Sequence, residues 1–185
     1  IAYGVSADGN VVVGYSSTSA NLIRAFRWSA VDGMQNLGSL SAEASVAHGV
    51  SSDGSVVVGY SHLTSGTYRA FRWTATGGMV SLGTLGGDLS IAQGVSSDGG
   101  TVVGWSTLVS KQLAFRWTAS GGMQSLGTLG SGGNNYWSDA AGVSMNGGAV
   151  VGYSHGDIGD RAFRWTALGG MRDLGTFQGN AAAKG

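Results

Sequence analysis

The side chains best suited to chemistry in this chain are three histidines, His48, His62 and His155, and the short run His155-Gly156-Asp157-Ile158-Gly159-Asp160. That run gathers imidazole and carboxylate groups, the donor types that bind cations. Its spacing matches no metal loop, and it reads as a polar turn. Cysteine is absent, which removes disulfides and thiolate metal sites. His48 falls where comparable stretches carry Tyr3, Gln93 and Ala141, a position that tolerates any side chain. Serines are plentiful, but Ser6, Ser51, Ser96 and Ser144 recur at one repeated position, as a structural hydrogen bond would require and a single nucleophile would not. No glycine-rich turn continues into Gly-Lys-Ser/Thr, so no phosphate loop is present. A catalytic group should break the pattern and stand among other unique residues. The reading is therefore of a chain with no catalytic residue, no metal site and no cofactor.

The pattern itself is a tandem repeat. Gly4-Val5-Ser6-Ala7-Asp8-Gly9 returns as Gly49-Val50-Ser51-Ser52-Asp53-Gly54, Gly94-Val95-Ser96-Ser97-Asp98-Gly99 and Gly142-Val143-Ser144-Met145-Asn146-Gly147. Gly14, Gly59, Gly104 and Gly152 follow, each between valines and an aromatic-serine pair. Ala25-Phe26-Arg27-Trp28, Ala70-Phe71-Arg72-Trp73, Ala114-Phe115-Arg116-Trp117 and Ala162-Phe163-Arg164-Trp165 come next, then Met34, Met79, Met123 or Met171 and a Leu-Gly pair. The units assign as residues 1–44, 45–89, 90–137 and 138–180. Residues 181–185 start a fifth, because Ala183-Lys184-Gly185 matches Ala2-Tyr3-Gly4.

Each unit reads as four short strands. Asp-Gly, or Asn-Gly in the fourth unit, predicts a two-residue hairpin between the first two strands, and Gly-Gly or Asp-Gly a second turn before the last. No helical periodicity appears. Thirty-five glycines without one proline fit an array of tight turns. Four antiparallel strands in roughly 45 residues is the arithmetic of a β-propeller blade, so the fold class is all-β, a β-propeller of four-stranded blades. The alternative is a β-helix or solenoid, whose parallel coils need no hairpins. Trp28, Trp73, Trp117 and Trp165 are expected between blades. Arg27, Arg72, Arg116 and Arg164 should face away from them and find carbonyl acceptors, since a buried unpaired charge is costly. The overlapping fifth start would crowd a closed four-bladed ring. It favours a longer array or an assembly of copies.

Ten basic and ten acidic residues cancel, so no field draws the chain to nucleic acid or to anionic lipid. No apolar run reaches the roughly 20 residues that span a bilayer. The repeated Gly-Val-Ser-x-Asp-Gly, Ala-Phe-Arg-Trp and Gly-Gly-Met-x-x-Leu-Gly motifs resemble the bacterial HAF-type extracellular repeats found in autotransporter passengers. That resemblance implies an extracellular or cell-surface location and no established activity. The histidine that names those repeats is replaced here by Arg24, Arg69, Leu113 and Arg161, so no role of that histidine carries over. Two functions compete. The first is a structural or assembly module, partnered by further repeats or by copies of itself. The second is a lectin-like or adhesive module that takes a glycan or host-surface ligand on the variable loops after each second strand, with Tyr68, His155, Asp157 and Asp160 as binding residues there and Tyr136 and Trp137 as exposed aromatics in the longest connection between units. Recognition residues should repeat from unit to unit and these do not, which favours assembly.

Overall fold

The computed structural model describes residues 1–130, 136–157 and 159–177. Sixteen strands form four separate four-stranded antiparallel sheets, each in simple chain order. The first holds β1 (Ala2–Val5), β2 (Val11–Ser17), β3 (Ile23–Ser29) and β4 (Gly33–Asn36). The second holds β5 (Ser45–Val50), β6 (Val56–His62), β7 (Tyr68–Thr74) and β8 (Gly78–Ser81). The third holds β9 (Ser90–Val95), β10 (Thr101–Leu108), β11 (Lys111–Thr118) and β12 (Gly122–Ser125). The fourth holds β13 (Trp137–Val143), β14 (Ala149–Gly156), β15 (Gly159–Thr166) and β16 (Gly170–Asp173). These are the blades of a β-propeller. Antiparallel pairing within all four sheets, with a single isolated parallel bridge between Tyr68 and Leu89 among the described residues, excludes the β-helix alternative. The proposed fifth start, residues 181–185, lies outside the described residues.

Two local expectations need correction. The Asp-Gly bend is not a two-residue hairpin. Ser6 N donates to Val11 O at 2.9 Å and Gly9 N to Ser6 O at 3.0 Å, which leaves a four-residue loop, Ala7 to Asn10. Only the glycine takes positive φ, 76° at Gly9, while the aspartate is held by its side chain. Asp8 Oδ1 accepts from Ser6 Oγ at 2.6 Å and from Asn10 N at 3.0 Å. Asn146 does the same with Ser144 Oγ and Gly148 N, so the turn needs an oxygen acceptor rather than a charge. Secondly, a 3₁₀ turn at Thr64–Gly66 follows β6, where no helix was expected.

A feature invisible in the motif explains one of its glycines. The first strand of every blade carries a β-bulge, at Tyr3, His48, Gln93 or Ala141. The bulge pushes the inner strand against the second. A Cβ at Gly59 would collide with the Val46 carbonyl oxygen, and one at Gly104 with that of Ile91. Only glycine fits there.

The core lies between blades. Each blade has a leading face of small and aliphatic side chains and a trailing face of bulky ones. Between the first two blades, Val11, Val13, Ala25 and Leu37 meet Ala47, Val57 and Phe71, with Trp73 and Met79 alongside. The next interface repeats this with Val58, Ala70 and Leu82 against Val102, Phe115 and Trp117, and the third with Val103, Ala114 and Leu126 against Val150, Phe163 and Trp165. Serine staples cross each interface: Ser45 Oγ donates to Gly38 O at 2.5 Å and accepts from Ala25 N at 2.9 Å, and Ser90 and Ser138 make the equivalent bonds.

Candidate functional site

Three of the four repeated arginines hold blades together, while the repeated loop serines and carboxylates hold their own turns. Arg27 Nε donates to Gly54 O at 3.0 Å, Arg72 Nε to Gly99 O at 3.2 Å and Arg116 Nε to Gly147 O at 3.3 Å, each reaching the next blade's first loop. Arg164, in the last blade, is exposed. At the position of the missing histidine, Arg24 donates to the carbonyls of Ala42 and Glu43, Arg69 to that of Asp88, and Leu113 is buried. The loop carboxylates are stabilised as anions. Hydrogen bonds from Ser6 and Asn10 hold Asp8 at a pKa of about 2, and Ser51 and Ser55 do the same for Asp53.

One motif was overlooked. Gly152-Tyr153-Ser154-His155-Gly156 has the letters of a hydrolase elbow, Gly-x-Ser-x-Gly. That elbow requires a sharp strand-to-helix turn with an exposed Oγ. Ser154 instead sits inside β14, fully buried, where its Oγ donates to Trp137 O and accepts from Leu129 N, both at 3.1 Å. Ser61 and Ser106 hold the same place in the second and third blades. The letters arise from the repeat and carry no nucleophile.

The bulge residues do what repetition conceals. His48 is half-buried, its Nδ1 3.2 Å from Ala92 O in the next blade, and burial lowers its pKa. Its ring stands edge-on to Tyr3 and Tyr60. From there a continuous aromatic band runs over three blades, Tyr15–Tyr3–His48–Tyr60, then His62 and Tyr68, then Trp105, with successive centroids 5.3–6.3 Å apart. Every ring in it keeps some exposure. Tyr68 therefore belongs to a surface that the sequence did not connect.

The other expected binding residues meet at the edge of the fourth blade. His155 pairs with Asp160 across β14 and β15, Nδ1 to Oδ1 at 2.8 Å. The Trp137 ring stacks on His155 at 6.1 Å and meets Tyr153 edge-on at 5.2 Å. The Tyr136 hydroxyl donates to Asp157. Trp137 is thus the first residue of β13 and half-buried, where the sequence placed it in an exposed connection. Ile158 lies outside the described residues. A cavity of 220 Å³ beside this edge is lined by Leu129, Gly156, Asp157, Gly159, Arg161 and Asp173. Among the described residues, no three of His, Asp and Glu converge as metal ligands.

Asp139 was missed altogether. It is 3% exposed, Oδ1 has no partner among the described residues, and Oδ2 receives only long bonds from Tyr153 Oη at 3.3 Å and Gln93 Nε2 at 3.4 Å. Burial raises its pKa. The other units carry Ile1, Val46 and Ile91 there, so aligning the repeats one residue before the conserved alanine exposes it.

The ends of the row complete the inventory. Leading-face positions that are buried inside the row are open on the fourth blade: Val103 is 0% exposed and Val151 46%, Leu126 6% and Leu174 59%. On the first blade the trailing face is open, with Val5, Trp28 and Met34 exposed.

Four such blades stacked face to face define a β-propeller-type repeat protein. Solved structures agree. The chain matches TolB from Acinetobacter baumannii with a TM-score of 0.66 at 12% identity, over 94% of this chain and 43% of that one. It matches a protein described as a TolB, from Agrobacterium tumefaciens, at 0.65 and 14%, over 94% and 60%. The chain thus spans about two fifths to three fifths of those proteins, and identities this low establish the fold. No family model and no curated protein sequence matches the chain, so the resemblance to HAF-type repeats rests on its motifs alone.

Proposed function

We propose that this chain is a non-catalytic structural module of an extracellular repeat array, whose open blade faces take further blades of the same kind. The observation that carries this is the pair of exposed end faces, which hold the same residue types that are buried at every interior interface. Apolar faces of this kind mark association surfaces when they stand in water. Most of the repeated hydroxyl and guanidinium groups are engaged in bonds between blades or within their own blade, which supports a structural role for them. The resemblance of the repeat motifs to extracellular repeats supports the surface setting. Light scattering and electron microscopy of the concentrated protein test the reading. Association that grows with concentration is expected, and a monodisperse monomer across the range overturns it.

The aromatic band favours a second reading, a binding module. Partly exposed tyrosine, histidine and tryptophan rings, in a chain with no net charge, suit the faces of sugar rings. Glycan-array screening tests this. Specific capture that Tyr60→Ala and Tyr68→Ala abolish, from a protein that does not associate, reverses the order of the two readings.

A further inference from the structure

The fourth blade departs from the repeat at one place on its sheet. Asp139 lies opposite Tyr153, Trp137 lies opposite His155, and His155 lies in turn opposite Asp160. Paired residues, and residues two apart on a strand, point to the same side of a sheet, so these side chains form one patch. Gln93 of β9 reaches the patch from the third blade, which places it in an interior joint with both walls described. Where the fourth blade has the carboxylates Asp139 and Asp160, the second has Val46 and Tyr68 and the third Ile91 and Gln112. The first has Ile1 and Ile23. Acid enters this patch in the fourth copy alone.

We infer that this patch binds an alkylammonium group, with Asp139 as its counter-ion and the rings of Trp137 and Tyr153 as its walls. Asp139 is 3% exposed, its Oδ1 has no partner among the described residues, and its Oδ2 receives only the long bonds from Gln93 and Tyr153. Both donors are neutral. The basic side chain of the patch, His155, turns its Nδ1 to Asp160 instead. A buried carboxylate without a counter-charge is costly, and such a cost is kept where a ligand supplies the missing charge. The Trp137 and Tyr153 rings, 5.2 Å apart, stand beside it, and aromatic faces attract cations. Tyr153 is 42% exposed and Gln93 partly so, and the bonds of 3.3 and 3.4 Å that hold them over the carboxyl are weak enough to open.

Other ligands fit less well. A metal ion wants several oxygen lone pairs, but Gln93 and Tyr153 turn N–H and O–H groups toward Asp139, and no three of His, Asp and Glu converge among the described residues. A sugar hydroxyl leaves the carboxylate charge uncompensated. An alkylammonium brings the charge together with an apolar stem for the rings. The residue that makes the site is also the one that weakens the joint, a trade expected of binding residues.

Choline chloride and n-butylammonium chloride, titrated into the full chain by isothermal calorimetry, test the site. Sodium chloride at equal ionic strength, calcium chloride and glucose serve as references. Saturable one-to-one binding of an ammonium is expected, with no competition from the references. Butylammonium has the end of a lysine side chain and choline a quaternary head, so the ratio of their affinities tells a protein amine from a small quaternary ligand. Asp139→Asn keeps the shape and removes the charge, and should weaken binding by at least about tenfold. Asp139→Ile should abolish binding while raising the thermal midpoint, which separates the loss from unfolding. Trp137→Ala should weaken binding by about threefold. No saturable binding of either ammonium, or binding that Asp139→Asn leaves intact, overturns the site. Displacement by calcium or by glucose overturns its ligand class.

Discussion

Leu82 and Leu174 occupy the same place in the same four-stranded unit, yet one is sealed and the other stands in water. The same holds for Val58 and Val151, and on the opposite face Met79 is partly buried where Met34 is exposed. The hairpins that carry these residues are alike at both places. What differs is the presence of a neighbouring blade. A blade therefore acquires its shape locally and its stability from stacking, the nearest-neighbour behaviour of repeat proteins.

That comparison can be broken most directly by truncation. Leu82→Ala should cost about 2–4 kcal/mol in urea unfolding, the range for a buried leucine, whereas Leu174→Ala should cost less than about 1 kcal/mol. Equal costs would mean that the fourth blade's leading face is covered in solution. Glycine substitutions sharpen it. Gly9→Ala and Gly54→Ala both force alanine into positive φ, worth about 1 kcal/mol. Gly54→Ala also drives a Cβ into Val11, so its thermal midpoint should fall well below that of Gly9→Ala.

Asp139 offers a change in the opposite direction. Asp139→Ile restores the residue type of the other units and removes a buried acid with an unpartnered oxygen. It should stabilise the chain by about 1 kcal/mol at neutral pH. Because burial raises the folded pKa of Asp139, its contribution is most favourable below the ordinary value of 3.8 and is lost as pH rises through the folded value. The gain from Asp139→Ile should accordingly grow with pH over that window and level off above it. A pH-independent gain would show that the carboxyl is not the cause. The smallest effect is expected from Asp53→Asn. Its carboxylate is held at about 2, so it supports the fold above 3.8 and loses that support as pH falls toward 2. The variant should flatten part of the acid limb and change little at neutral pH, since Asn146 already serves the same turn.

Much of this was legible in the order of residues. The fourfold register fixes the unit, and the glycine-centred bends predict antiparallel hairpins. Phe and Trp on one side of strand three, with arginine on the other, predict a blade covered on both faces. The loop was misjudged because Asp-Gly spells a two-residue turn wherever it occurs, while the Ser6 and Asn10 bonds that lengthen it to four residues lie outside the dipeptide. The band around His48, Tyr60 and Tyr68 was hidden because its members come from three units and from two kinds of position, a bulge and a hairpin end. Asp139 was visible in the aligned repeats, but only its depth makes it unusual.

The sequence by itself determined the repeating unit, its four strands and their turns, because these depend on local backbone preference and on which side chains alternate. Tertiary structure alone decided which copy of each residue is buried, how far apart rings from different blades stand, and which two faces remain open. Those properties belong to the stacking of one sheet on the next, and identical neighbours in sequence cannot tell an interior blade from an end.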